Sequence, residues 1–151
     1  MYWIDAQGTL LKALLERPRI GLVTDVDGTI SPIVAHPDAA QVTPRARELL
    51  AALADRLPLV AAVSGRAAAD VRARVGLSQV VYVGNHGLEW WIDDRVEVAP
   101  AAAAYRPAIE AARDEVQGYV VPGVIVEDKG ATLSVHYRLT ADPEAAADAL
   151  R

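Results

Sequence analysis

Asp25 and Asp27 are the residues of this chain best suited to chemistry: two carboxylates two positions apart, closing the apolar run Ile20 to Val26 and followed at once by Gly28. On an extended strand, residues two apart share a face. The pair is therefore expected to converge where a strand stops and a loop begins, the edge at which open α/β sheets bind ligands. An ordinary Asp-Gly turn is the plain alternative. Against it, a strand buried on both faces should carry carboxylates only where they are paired or hold a metal.

Carboxylates so placed suit phosphoryl transfer. Asp25 would attack phosphorus to form an aspartyl phosphate. An anion approaching a dianion needs a cation between them, and Mg2+ with oxygen ligands suits that need, so Asp25 and Asp27 are also the metal candidates. Asp27 would protonate the leaving oxygen and later activate water. Gly28 permits the sharp exit, and the Gly28 and Thr29 amides are expected to face phosphate oxygens. The string Asp25-Val26-Asp27-Gly28-Thr29 resembles the first motif of the haloacid dehalogenase superfamily of phosphotransferases.

The elements that must hold these groups read as an α/β chain. Leu10, Leu11, Leu14 and Leu15 predict a short helix over Gly8 to Arg17, stopped by Pro18, ahead of a strand from Arg19 to Val26. A Pro-containing connection leads to Thr43-Pro44, a good N-cap and first-turn pair. The helix it opens runs to about Arg56, with Leu49, Leu50, Leu53 and Leu57 on one face. Leu59 to Val63 is too short for a helix and reads as a buried strand, followed by a helix from Ala67 to Val75 that Gly76 stops. Val80 to Val83 is a third strand, and a hairpin from Leu88 to Val98 is appended to the sheet. Beyond Pro100 the spacing predicts a helix through Tyr105 and Val116, a second hairpin (Val124 to Asp128 with Ala131 to Leu139), and a helix capped by Asp142-Pro143.

Each core strand ends in a small-polar loop on the same predicted edge. Ser64 and the Gly65 amide are candidates to bind phosphoryl oxygens, helped by the helix N-terminus behind them; a plain helix N-cap is the competing role for Ser64. Arg66 either meets an anionic substrate or is a solvated first-turn arginine. Asn85 and His86 stand at the end of the third strand and are substrate-contact candidates. Glu89 reads either as a hydroxyl-binding carboxylate or, more commonly, as a hairpin surface residue, and one of Trp90 and Trp91 is expected in the core. On the second hairpin, alternation sets Glu127 and Lys129 on one face of the first strand and Ser134, His136 and Arg138 on one face of the second, a polar surface suited to hydroxyl-rich ligands or to cross-strand charge pairing.

Four blocks in order, VTDVDGTISPIV, VAAVSGRAAADV, VYVGNHGLEWW and VIVEDKGATLSVHYR, together resemble the trehalose-phosphatase family over Gly21 to Arg138. The resemblance implies hydrolysis of trehalose 6-phosphate with Mg2+, and a three-layer Rossmann-like parallel sheet, the haloacid dehalogenase-like core, with an α+β cap closing over the disaccharide. By motif match it implies Asp25 as nucleophile, Asp27 as general acid/base and metal ligand through its carbonyl, Ser64 as phosphate binder, and Glu127 and Lys129 as sugar contacts, with His136 and Arg138 beside them. It also implies a later lysine and a Gly-Asp-Asp segment. The only lysines here are Lys12 and Lys129, and after Asp128 only Asp142 and Asp148 remain. The chain is thus expected to correspond to an incomplete core (1–100) and the first part of the cap (101–151), with little or no activity alone, marginal stability, and a complementary C-terminal half as a candidate partner. A phosphatase for another sugar phosphate and a non-catalytic sugar-phosphate-binding module are the alternatives.

With 151 residues, 52% hydrophobic and 23% charged, the chain can bury a core of its own. A net charge of -5 argues against nucleic acid or an anionic membrane as main partner. The absence of cysteine excludes disulfides and thiol chemistry. No apolar run is long enough to span a bilayer and the N-terminus lacks a leader pattern, so a cytoplasmic location is expected.

Overall fold

The computed structural model describes residue 8, residues 11–119 and residues 121–150. Of the expected first helix, Lys12–Leu15 (α1) is present, and residues 9 and 10 lie outside the described residues. The core is a five-stranded sheet of β1 (Gly21–Asp25), β2 (Leu59–Val63), β3 (Val81–Gly84), β4 (Glu89–Ile92) and β5 (Arg95–Val98), side by side in chain order. β1, β2 and β3 are parallel, with Asp25 level with Val63. β4 and β5 extend the sheet antiparallel, as a hairpin whose turn at Asp93-Asp94 takes left-handed backbone.

Helices α2 (Pro44–Ala54) and α3 (Ala68–Val75) supply the parallel crossovers. Thr43 accepts the Ala46 amide at 3.2 Å, the N-cap its position predicts. The alternation along the strands decides which residues enter the core: Val60, Ala62 and Tyr82 project to one face, where they pack with Leu50, Val71 and Val75. Trp91 packs against this cluster. Leu49, expected on the same helical face as Leu50, is instead 46% exposed. On the opposite sheet face Val23, Leu59 and Val81 are exposed, so β1 is not buried on both faces as the apolar run suggested.

After β5 come α4 (Pro100–Ala103) and α5 (Arg106–Gln117), then a separate two-stranded sheet of β6 (Ile125–Asp128) and β7 (Leu133–His136), then α6 (Pro143–Ala149). Asp142 caps α6 through the Ala145 amide at 3.0 Å. In the hairpin register Glu127 faces Ser134 and Ile125 faces His136, with Lys129 just beyond β6 in the turn and Arg138 beyond β7. The hairpin is therefore shorter than its sequence pattern. No helix among the described residues is long and apolar enough to cross a membrane.

Candidate active site

The strand ends at Asp25, and Asp27 lies beyond it in an isolated bridge to Ser31 at the start of a turn. The shared pleat inferred from spacing does not exist. The cause is Val26: its side chain is fully buried, and its carbonyl accepts the amides of Thr29, Ile30 and Ser31 at 3.3, 3.1 and 2.9 Å. Gly28 closes this turn with φ of +84°, a conformation that costs glycine little. Its amide donates to Ser31 O at 2.7 Å and that of Thr29 to Val26 O, so these two amides are engaged in the turn instead of facing a phosphate. Thr29 contributes through its hydroxyl, 3.3 Å from Asp25 Oδ2.

Asp25 and Asp27 nevertheless open on adjoining cavities. Asp25 lines one with Val23, Thr24 and Val63; Asp27 lines the other, about 380 Å³, with Ile33, Val34 and Pro37. Ser64, Gly65 and His86 line both. Asp25 is exposed, so its case as a site residue rests on position at the sheet edge and not on burial.

Ser64 is buried, and its Oγ accepts the Arg66 amide at 3.1 Å. It does not cap α3. That task falls to Glu89, whose Oε2 accepts the Ala68 amide at 3.0 Å although Glu89 is only 4% exposed. A surface position was the commoner expectation for this residue. The strand-to-helix approach it needs is made possible by Gly84, where a Cβ would lie 2.2 Å from Ala68 N. The loop 64–66 is further tied to the third strand end by three backbone bonds: Ser64 N–H to Val83 O, His86 N–H to Ser64 O and Asn85 N–H to Arg66 O.

Two expected substrate contacts are spent elsewhere. Asn85 is fully buried; its Nδ2 donates to Lys129 O at 3.0 Å and its Oδ1 accepts from Thr132 Oγ1 at 2.7 Å, so it secures the hairpin turn. Arg66 forms a fork with Asp27, Nε to Oδ2 at 2.8 Å and Nη2 to Oδ1 at 3.0 Å, and its other donors reach Asp70 and Pro37 O. The hydrogen bond to Asp27 is the main reason the Arg66 guanidinium titrates above the usual arginine value; burial opposes it and Asp70 adds to it.

His86 sits on strained backbone, with φ of +58° following +47° at Asn85, both unusual for side chains with a Cβ. Its ring lies so close to Gly65 that a Cβ there would be 2.6 Å from Cε1.

The hairpin supplies the opposite wall: Glu127, Lys129, His136 and Arg138 line the Asp27 cavity. His136 Nε2 is 3.0 Å from Glu127 Oε2. Lys129 Nζ donates to Ser134 Oγ and to Gly65 O, both at 2.9 Å, and is 3.6 Å from Glu127. Sequence reasoning overlooked Ile33, Val34 and Pro37, whose loop carries no polar motif, and Asp70, whose partner Arg66 is one helical turn away at i−4. Neither tryptophan of the Trp90-Trp91 pair lines this cavity.

A hard cation needs six or more oxygens. Asp25 and Asp27 offer two residues' worth, and no group of three or more His, Cys, Asp or Glu suited to a metal occurs among the described residues. These residues fit part of a Mg2+ site.

The parallel sheet, its flanking helices and the antiparallel hairpin at its edge place the chain in the class of α/β domains. The trehalose-phosphatase family model matches residues 23–151. The chain belongs to the trehalose-phosphatase family. It is 45% identical over 117 residues to the trehalose-phosphate phosphatase of Mycobacterium tuberculosis H37Rv, covering 76% of this chain and 30% of that protein. It is 43% identical over 124 residues to that of Mycobacterium ulcerans, covering 80% and 32%. Among solved structures, the C-terminal domain of Candida albicans trehalose-6-phosphate phosphatase superposes with a TM-score of 0.76 at 25% identity, covering 95% of this chain and 52% of that one. The chain thus spans about a third of the length of the curated relatives it matches.

Proposed function

We propose that the chain carries the nucleophile and part of the sugar-binding surface of a phosphatase that hydrolyses trehalose 6-phosphate. The observation that carries this reading is the cavity in which Asp27, Ser64 and Gly65 face Glu127, Lys129, His136 and Arg138. A phosphate-handling strand edge and a wall of hydroxyl-binding groups are what a phosphorylated sugar requires.

In this reading Asp25 Oδ attacks phosphorus, the bond from phosphorus to the sugar oxygen breaks, and Asp27 delivers its proton to that oxygen. Water then attacks the aspartyl phosphate, Asp27 takes the proton, and phosphate leaves with Asp25 restored. Ser64 and Gly65 hold phosphoryl oxygens, while His86, Glu127, Lys129, His136 and Arg138 hold sugar hydroxyls. A bound Mg2+ would neutralise charge between nucleophile and phosphate, held by the Asp25 carboxylate and the Asp27 carbonyl with further oxygens from outside the described residues. Lys129 is the one lysine lining the cavity among the described residues, and it spends two of its three donors on Gly65 and Ser134. Turnover by these residues alone is therefore expected to be slow, because electrostatic stabilisation dominates phosphoryl transfer.

The test is phosphate release from trehalose 6-phosphate with Mg2+, against a panel of monosaccharide phosphates, for the native chain and Asp25→Asn. Release confined to the native sequence and greatest with trehalose 6-phosphate is the expected result. Release that survives Asp25→Asn overturns the assignment of the nucleophile, and preference for a monosaccharide phosphate overturns the substrate.

A further inference from the structure

Arg66 connects the proposed acid/base to the body of the core. Of the five N–H groups a guanidinium offers, Nε and Nη2 grip the two oxygens of Asp27, Nη2 also reaches Pro37 O at 3.0 Å, and Nη1 reaches Asp70 Oδ2 at 3.1 Å. Four hydrogen bonds to protein leave little donor capacity for a phosphoryl group. The side chain is 13% exposed, and its second carboxylate is itself braced, since Arg74 Nε donates to Asp70 at 2.8 Å while Arg74 Nη1 holds Ala40 O. The chain Asp27, Arg66, Asp70, Arg74 therefore runs from the turn after β1, through the 64–66 loop, into α3.

Asp27 and Arg66 both line the substrate cavity, and of the two Asp27 is the one with a proton to deliver. Asp27 lies beyond the end of β1, bridged only to Ser31, so the sheet ladder does not fix its direction. A planar fork bonding both oxygens does fix it, and a carboxyl oxygen that accepts one N–H keeps another lone pair for a proton or a substrate hydroxyl.

We propose that Arg66 is a positioning residue for Asp27: it aims the Asp27 carboxyl group at the leaving oxygen and is not a ligand of the phosphoryl group. The role rests on the phosphatase reading above. In the first chemical step the oxygen released from phosphorus takes its proton from Asp27. An alkoxide leaving group depends on that proton; an aryl oxide such as p-nitrophenolate departs without it. Loss of aim should therefore harm alkyl substrates selectively.

The experiment compares Arg66→Gln and Arg66→Lys with the native chain in rapid-quench formation of the phosphoryl-enzyme, from trehalose 6-phosphate and from p-nitrophenyl phosphate, each over a range of substrate concentration. With the sugar phosphate, Arg66→Gln is expected to slow the step about 100-fold at saturation, the scale of a general-acid contribution, with the half-saturating concentration little changed. With the aryl phosphate the loss should stay within about threefold, since that leaving group needs no proton. Lysine should not restore the rate, because a single ammonium lacks the fork. Equal losses on both substrates with weakened saturation would overturn the proposal and make Arg66 a phosphate ligand.

A thermal-unfolding cycle of Asp27→Asn, Arg66→Gln and the double variant tests the pairing without turnover. The loss in Tm from Arg66→Gln should be clearly smaller in the Asp27→Asn background; additive losses overturn the pairing. Should the native chain accept a phosphoryl group from neither substrate, the phosphatase reading fails and the role of Arg66 falls with it, while a non-additive cycle would show that the ion pair itself is real.

Discussion

The ammonium of Lys129 donates to the carbonyl of Gly65 at 2.9 Å, across a separation of 64 residues, so the hairpin carrying Glu127 and His136 is fastened to the loop behind Ser64. Asn85 makes a second attachment to the same turn through Lys129 O and Thr132. Wall and strand edge are thereby held at one spacing across the cavity.

Lys129→Met removes the charged donor while keeping much of the stem. Because hydrogen bonds from charged groups contribute about 1.5–3 kcal/mol, hydrogen exchange at the β6–β7 amides should quicken by tenfold or more, on that same estimate of about 1.4 kcal/mol per decade. Exchange unchanged from native would show that the hairpin does not depend on this contact.

Glu89→Ala leaves the Ala68 amide buried without an acceptor, and a loss of about 2 kcal/mol is expected in urea unfolding. Glu89→Gln keeps an acceptor oxygen at the same reach and should lose clearly less. Equal losses for the two variants would refute the capping role.

Gly84→Ala is expected to cost more, at least about 3 kcal/mol, because backbone and not a pliable side chain occupies the space. The atom it meets is Ala68 N, 2.2 Å from the new Cβ. Circular dichroism and thermal melting should report an α3 displaced from the sheet; a native-like Tm would contradict the packing.

Tyr82 gives the molecule an alkaline limit. Its ring is 1% exposed, and burial pushes the phenol above its ordinary value of 10.0, with hydrogen bonding to Leu77 opposing. A folded pKa above the unfolded one means that the associated stability is fully present below about pH 10, the unfolded phenol value, and is lost as pH rises through the folded value. Phenolate absorbance should show one tyrosine ionising later than the others, together with unfolding. Tyr82→Phe should remove the late step; if the late step persists, another group sets the limit.

Much of this arrangement was written in local pattern. Leu59 to Val63 is an apolar run framed by Pro58 and Gly65, and the strand occupies those same residues. Thr43-Pro44 and Asp142-Pro143 marked helix starts because capping is local. The alternation of the hairpin set Glu127 and His136 on polar faces without deciding between a ligand and water, and both line the cavity. What sequence did not disclose depends on partners far along the chain. Arg66 meets Asp27 across 39 residues, and Glu89 becomes a helix cap only because Gly84 lets the start of α3 approach the sheet. Asp27 left the strand because three amides converge on one buried carbonyl, a turn that spacing alone does not specify.

The proposed function turns on phosphorylation of Asp25. Mixing the chain with trehalose 6-phosphate and Mg2+, quenching in acid and mapping the phosphoryl adduct by peptide mass spectrometry tests it within a single turnover. An acid-stable, hydroxylamine-sensitive adduct on Asp25 that is absent from Asp25→Asn is the expected result. An adduct on another residue, or phosphate release undiminished in Asp25→Asn, would contradict it.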